Sequence, residues 1–203
     1  MTFYPDLGEC GYFRRDDGSD HDDEGVRLIA VGWLDDHLPT EPVDPSGLSA
    51  AVDVLVRIWE ARVDLWGVSM GRHGCGLCGM PPDRAPATEV IHKGQRLSLG
   101  SGYITVPVRR ALYVAPSLII HYVLAHGYQP PDAFLAALER CPDPRSRAYA
   151  RALQSAGPSW MRWVDKPPFR IAPWRRWLAS RIEWQTPPKT ALGQRFRRIL
   201  QRL

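Results

Sequence analysis

The sequence has no long apolar run. Its longest apolar stretches, such as residues 114–120 (VAPSLII), fall far short of the ~20 residues a membrane-spanning helix needs. No basic n-region with an apolar h-region opens the chain, which starts MTFYPDLGE, so no secretory signal is expected and a cytoplasmic location is the expectation. Only four cysteines occur, too few for a disulfide framework at this length; reduced thiols, metal-bound or buried, fit better. Lysine is nearly missing: Lys93, Lys166 and Lys189 are the three among 26 basic side chains. Arginine suits phosphate forks and aromatic stacking, although GC-rich coding would leave the same bias. Also lacking are the signatures G-x-x-x-x-G-K, G-x-S-x-G and H-E-x-x-H. No enzymatic constellation is expected, and no small-molecule substrate is evident.

What is present suits a folded protein. The 203 residues are 44% hydrophobic and 24% charged, values of a globular chain of one domain, or one domain with an appendage. The net charge of +4 hides a division. Residues 1–144 hold 12 Lys and Arg against 20 Asp and Glu, a net of −8; residues 145–203 hold 14 against 2, a net of +12. Such asymmetry points to a basic tail that meets a nucleic acid or an acidic partner, or folds back on its own acidic domain. A boundary near residue 144 follows, with one domain over 1–144 and a basic extension over 145–203.

Local patterning predicts an α+β fold: a small antiparallel sheet with several helices. Residues 26–34 (VRLIAVGWL) read as a buried strand, and residues 65–70 as another. Ser46 is the expected N-cap of a helix over roughly 47–64, with Leu48, Val52, Leu55 and Trp59 at helical spacing. One strand is predicted near 89–99 and one near 103–108, with Gly100 and Gly102 marking the turn between them. A third is expected over 111–114. A helix is predicted from Pro116 to a stop at Gly127, and another after Pro130-Pro131 carrying Phe134, Leu135 and Leu138.

Two histidines and two cysteines carry the sharpest chemical signal. Cys75-Gly76-Leu77-Cys78 is a C-x-x-C knuckle, and His121 and His126 form H-x₄-H, spacings that suit a structural zinc site. Glycines around the knuckle let a tight turn aim both sulfurs at one ion. The histidines need more, because five residues along an ideal helix rotate the second by about 140° from the first. His126 is therefore expected on a loosened last turn ending at Gly127. The plainer alternative leaves two core or surface histidines and a free thiol pair. Four protein ligands would close the site, giving structure rather than catalysis; a catalytic site would have to exchange one for water. His73 and His92 are competing imidazoles, and Cys10 and Cys141 are read as buried thiols. Residues 74–79 also match G-x-G-x-x-G, but Met80-Pro81-Pro82 follows where a dinucleotide fold needs a helix. Residues 20–25 imitate the start of a calcium loop, yet its twelfth position is Val31 rather than a carboxylate. Asp35, Asp36 and His37 are read as a solvated loop.

The extension holds five of the eight tryptophans and six prolines. Two stretches pattern as amphipathic helices, one with Trp174, Trp177, Leu178 and Ile182 on a face, the other with Leu192, Phe196, Ile199, Leu200 and Leu203. Trp174, Arg175, Arg176, Trp177, Arg181, Arg195, Arg197 and Arg198 are the candidate contacts to a nucleic acid or a partner protein. Three occupants of this arm compete. Phosphates attract its charge while bases stack on Trp or guanidinium planes. A larger protein would receive it as a docking subunit. A membrane surface is disfavoured by the prolines and by the lack of a long, clean amphipathic stretch.

The compact part resembles an uncharacterised family of bacterial proteins, a domain of unknown function. The segments that carry this are Tyr4-Pro5-Asp6-Leu7, Val31-Gly32-Trp33-Leu34-Asp35, the Cys75 to Cys78 knuckle, and residues 113–122 (YVAPSLIIHY) with 126–131 (HGYQPP). The resemblance covers residues 4–138 and implies a metal-binding module with no established activity. The acidic stretch at residues 16–24 and the tail are additions to it.

Overall fold

In the computed structural model the described residues are 3–13, 27–36, 38–61, 73–79 and 88–157. All lie within one compact unit, Met1–Asp165. The predicted strand at 65–70, the acidic stretch at 16–24, His37 and both amphipathic stretches of the arm fall outside them.

The architecture is α+β, as the patterning predicts. Strands β1 (Arg27–Ala30), β4 (Tyr103–Val108) and β5 (Ala111–Pro116) form one sheet in the order β1-β5-β4. Strands β2 (Thr88–His92) and β3 (Gln95–Leu99) form a separate antiparallel hairpin. The helices are α1 (Ser49–Ala61), α2 (Ile119–His126), α3 (Asp132–Glu139) and α4 (Arg147–Ala156).

Strand β5 lies at the centre of its sheet and every one of its residues is buried. An all-apolar stretch (ALYVAP) suits a strand covered on both faces. The sheet is mixed rather than wholly antiparallel: β4 pairs antiparallel with β5, but β1 pairs with it in parallel, Ile29 opposite Tyr113. The long excursion between β1 and β5, which carries α1 and the β2–β3 hairpin, makes the parallel return feasible. Pro107 sits in β4, an outer strand of the three, where a missing N–H costs least. The outer edge of β1 is closed by the N-terminal segment. Leu7 N–H reaches the Ala30 carbonyl (2.9 Å), Ala30 N–H that of Gly8 (2.8 Å) and Cys10 N–H that of Leu28 (2.8 Å). Trp33, wholly buried, donates its indole N–H to the Val114 carbonyl at 2.8 Å and so ties the end of this layer to β5.

Three local expectations are corrected. The single strand expected near 89–99 is two, β2 and β3, because Lys93 (φ 47°) and Gly94 (φ 79°) turn the chain in its middle. That conformation is the two-residue hairpin turn that matches strand twist. Gly100 and Gly102 consequently link two different sheets, and β4 turns into β5 at Arg109-Arg110 instead. Secondly, β5 runs through Pro116 and α2 begins at Ile119; sheet pairing with Tyr103 holds Pro116 extended. Thirdly, the cap ahead of α1 is Asp44 rather than Ser46. Its carboxylate accepts the Ser46 N–H at 3.0 Å and opens a short 3₁₀ turn, Pro45–Leu48, that leads into the helix.

The fold continues past the change of charge at residue 144. Helix α4 packs against β4 and β5 and buries Tyr149, Leu153 and Ala156. Ser146 caps it, accepting the Tyr149 N–H at 3.1 Å. The Tyr149 hydroxyl, fully buried, donates to the Thr105 carbonyl at 2.7 Å. A buried hydrogen bond of this kind contributes about 1 kcal/mol net, and stranding one partner costs about 1–3 kcal/mol. Tyr149→Phe is therefore expected to lower unfolding stability by about 1–2 kcal/mol in urea titration, with an unchanged m-value and unchanged metal content.

Candidate metal centre

The knuckle and the end of α2 come together at one point. Cys75 Sγ lies 3.3 Å from His126 Nε2. Cys78 Sγ lies 3.3 Å from both His121 Nε2 and His126 Nε2. The two Nε2 atoms are 3.1 Å apart, and all four donor atoms fall within 4.8 Å of one another. These four residues, drawn from segments more than 40 positions apart, could hold one metal ion. Among the described residues no other group of three or more such side chains converges this way.

Two close backbone approaches set this geometry. The knuckle is a 3₁₀ turn, Gly76–Cys78, with the Cys78 N–H bonded to the Cys75 carbonyl at 3.2 Å. A side chain at Gly76 would place its Cβ only 2.4 Å from the Asp35 carbonyl oxygen, so the turn is pressed against the loop after Trp33. Just ahead of it, His73 N–H bonds to the Gly100 carbonyl at 2.8 Å. At the other half-site, Gly127 takes a left-handed conformation (φ 64°), and Tyr128 N–H closes back on the Tyr122 carbonyl at 3.0 Å. The Gly127 N–H turns to the same carbonyl, and this seven-residue closure, one residue wider than a Schellman turn, gives the loosened last turn that lets His126 share a point with His121. Gly127 also receives the Val43 N–H on its carbonyl at 2.9 Å, and a Cβ there would lie 2.6 Å from the Val43 oxygen.

Beyond Gly127 the chain is anchored again. Asp6 accepts the Tyr128 hydroxyl at 2.8 Å with one carboxylate oxygen and the Gly32 N–H at 2.8 Å with the other. Tyr4 packs edge-on against Trp33, ring centroids 5.4 Å apart. The N-terminal, Trp33 and post-helix segments thus hold one another in place. Spacing along the sequence gives no sign of this anchor.

Burial tunes the donors unequally. Burial, and secondarily His126, pushes the His121 imidazole down to about 4, and burial lowers His126 as well. Both rings are neutral near pH 7 and keep a nitrogen lone pair for a metal. Burial pushes the Cys75 thiol up to about 11, against backbone N–H groups of Cys78 and Leu77 that favour its anion. The thiolate is thus expensive without a cation beside it. Cys75 and His121 are buried, His126 is half-buried and Cys78 is exposed, so the centre sits at the surface with two inward ligands.

The competing groups are occupied elsewhere. His92 Nε2 lies 2.6 Å from Asp53 Oδ1, and Lys93 reaches the other Asp53 oxygen at 2.5 Å, joining the β2–β3 hairpin to α1. His73 is outside the cluster. Cys10 is buried and Cys141 half-buried, and burial raises both thiols, Cys141 to about 11. Asp35 and Asp36 are exposed, as a solvated loop should be. Trp174, Arg175, Arg176, Trp177, Arg181, Arg195, Arg197 and Arg198 all lie outside the described residues. Among the described residues no helix is long and apolar enough to cross a membrane.

Gly127→Ala tests how far the helix end governs the centre. A Cβ in that conformation and 2.6 Å from backbone oxygen must displace either His126 or the 42–43 loop. Metal affinity by chelator competition is expected to fall by at least tenfold, together with a stability loss above ~1 kcal/mol. Unchanged affinity would show that His126 is placed by something other than this ending.

No curated protein and no solved structure matches the chain. Residues 2–139 match the model of a family described as a domain of unknown function, and by that match the chain belongs to the DUF7919 family.

Proposed function

We propose that this protein is a non-catalytic binding module, stabilised by zinc, whose basic C-terminal arm contacts nucleic acid. The observation that carries the zinc assignment is the size of the hole between the donors. Tetrahedral zinc, with bonds of about 2.3 Å to sulfur and about 2.05 Å to nitrogen, has S–N edges of about 3.5 Å and N–N edges of about 3.3 Å. Three S–N separations of 3.3 Å and an N–N separation of 3.1 Å lie within about 0.3 Å of those edges. Two thiolates with two neutral imidazoles are the donor set zinc prefers. The same count supports a structural role, because four protein ligands leave no position for water or substrate. Zinc would also neutralise the Cys75 thiolate that burial otherwise makes costly.

The partner follows from charge. Residues 145–203 carry a net of +12, mostly as arginine interleaved with tryptophan, chemistry that suits phosphates and bases together. A protein-docking role for the arm uses the same residues without the salt dependence.

Elemental analysis is expected to give one zinc per chain, and Cys78→Ser to lose both metal and solubility. Folded, metal-free wild-type protein sinks the zinc assignment. For the arm, the full chain is compared with residues 1–165, which retain α4, on single- and double-stranded DNA and RNA. Affinity that falls about 10³-fold or more between 50 and 200 mM salt, and that drops on removal of 166–203, is the expected result. A full chain that binds none of the four forms leaves protein docking as the account of the arm.

A further inference from the structure

We infer that the outer face of α4 is a phosphate-contacting surface on the folded domain. This rests on the nucleic-acid reading above and adds to it a place and a mode of contact.

The helix has two unlike faces. Tyr149, Leu153 and Ala156 are buried against the sheet, while Arg147, Ala148, Arg151 and Ser155 are exposed, with Arg145 exposed just before the helix. Residues 144–157 contain no Asp or Glu. Among the described residues, none of the three arginines is held in an ion pair.

Their positions are unfavourable for the helix itself. Arg147 opens the first turn, where the peptide dipoles favour an anion; that turn holds no acidic side chain, and the nearest, Asp143, lies ahead of it and accepts the Arg145 N–H at 2.7 Å. Arg151 follows four residues on, about 6 Å along the axis and on the same face, where like charges repel. Helix stability alone would favour Asp or Glu in that turn and an oppositely charged pair at this spacing. Local rules broken without a packing gain mark surfaces kept for another purpose. An anionic backbone laid along the helix removes both penalties together: it balances the first-turn cation and screens the pair.

The outer face also limits what can be read. It offers guanidinium groups, a methyl and a hydroxyl, but no aromatic ring for stacking, and the Gln154 side-chain nitrogen is buried. Contacts of this composition hold phosphates and position the chain without distinguishing sequences.

The test uses the full chain and R147Q/R151Q, each titrated from 50 to 200 mM salt. The probes are duplex DNAs and single-stranded RNAs, two unrelated sequences of each. The substitutions relieve an unfavourable first turn, so the thermal midpoint is expected to be no lower than wild type. Each lost phosphate contact removes about 0.9 from the log–log salt slope on duplex DNA, so the variant's slope should be shallower by about 1.8, equally for both sequences. An unchanged slope, with wild type binding normally, overturns the inference and leaves the arm intact as the contact. Unequal loss between the two sequences also overturns it, because it requires base readout. Absence of binding by the wild-type chain removes the nucleic-acid reading and this surface with it.

Discussion

Two imidazoles five residues apart on a helix cannot face one point unless the helix is released at its end. That constraint organises much of the described fold. Release takes the form of a left-handed residue and a seven-residue closure, and only glycine takes that conformation with the Val43 backbone pressed so near. A released end must then be fixed again, or His126 would sample many positions. The Val43–Gly127 hydrogen bond does this on one side, and Tyr128 to Asp6 does it on the other. Asp6 in turn holds Gly32, next to Trp33, whose indole is bonded to β5. Three segments distant in sequence therefore meet around the end of one eight-residue helix.

The cluster that could hold a metal was legible because metal chemistry writes itself into short spacings. A C-x-x-C pair, glycines beside it, and a histidine immediately before a helix-ending glycine each have a local physical meaning. The supports were not legible. Nothing in Tyr-Pro-Asp-Leu near the N-terminus says that the aspartate will accept a tyrosine hydroxyl 122 residues later. The strand errors have the same origin. Within 88–99 the buried positions change from even (Thr88, Val90) to odd (Leu97, Leu99) across the Lys93-Gly94 turn, a change set by the pairing of Val90 with Leu97 that a single-window pattern reading does not register. Parallel pairing of β1 with β5 is likewise a property of the long connection and not of either strand's residues.

Charge and packing also report different things. The sign of the chain changes at residue 144, but burial does not stop there, since Tyr149 and Leu153 belong to the core. Net charge describes what a segment will attract at a distance, whereas burial follows the apolar stripe. Helix α4 obeys both: its inner stripe completes the cover of the sheet, and its outer arginines belong in character to the basic extension.

The electrostatics of the centre explain why metal and fold should be coupled so closely. Burial does two opposed things to the same four residues. It keeps the imidazoles neutral, which prepares them to bind, and it keeps Cys75 protonated, which does not. The thiol loses its proton readily only when a cation arrives, so binding releases protons and strengthens as pH rises through the thiol range. Backbone turns bring two sulfurs and two rings within 4.8 Å of one another around a point that suits a cation, at the cost of ordering those turns. With one, the same turns become the shortest path between the knuckle, α2 and the N-terminal segment. A centre closed by four protein ligands would spend its binding energy on holding those elements together.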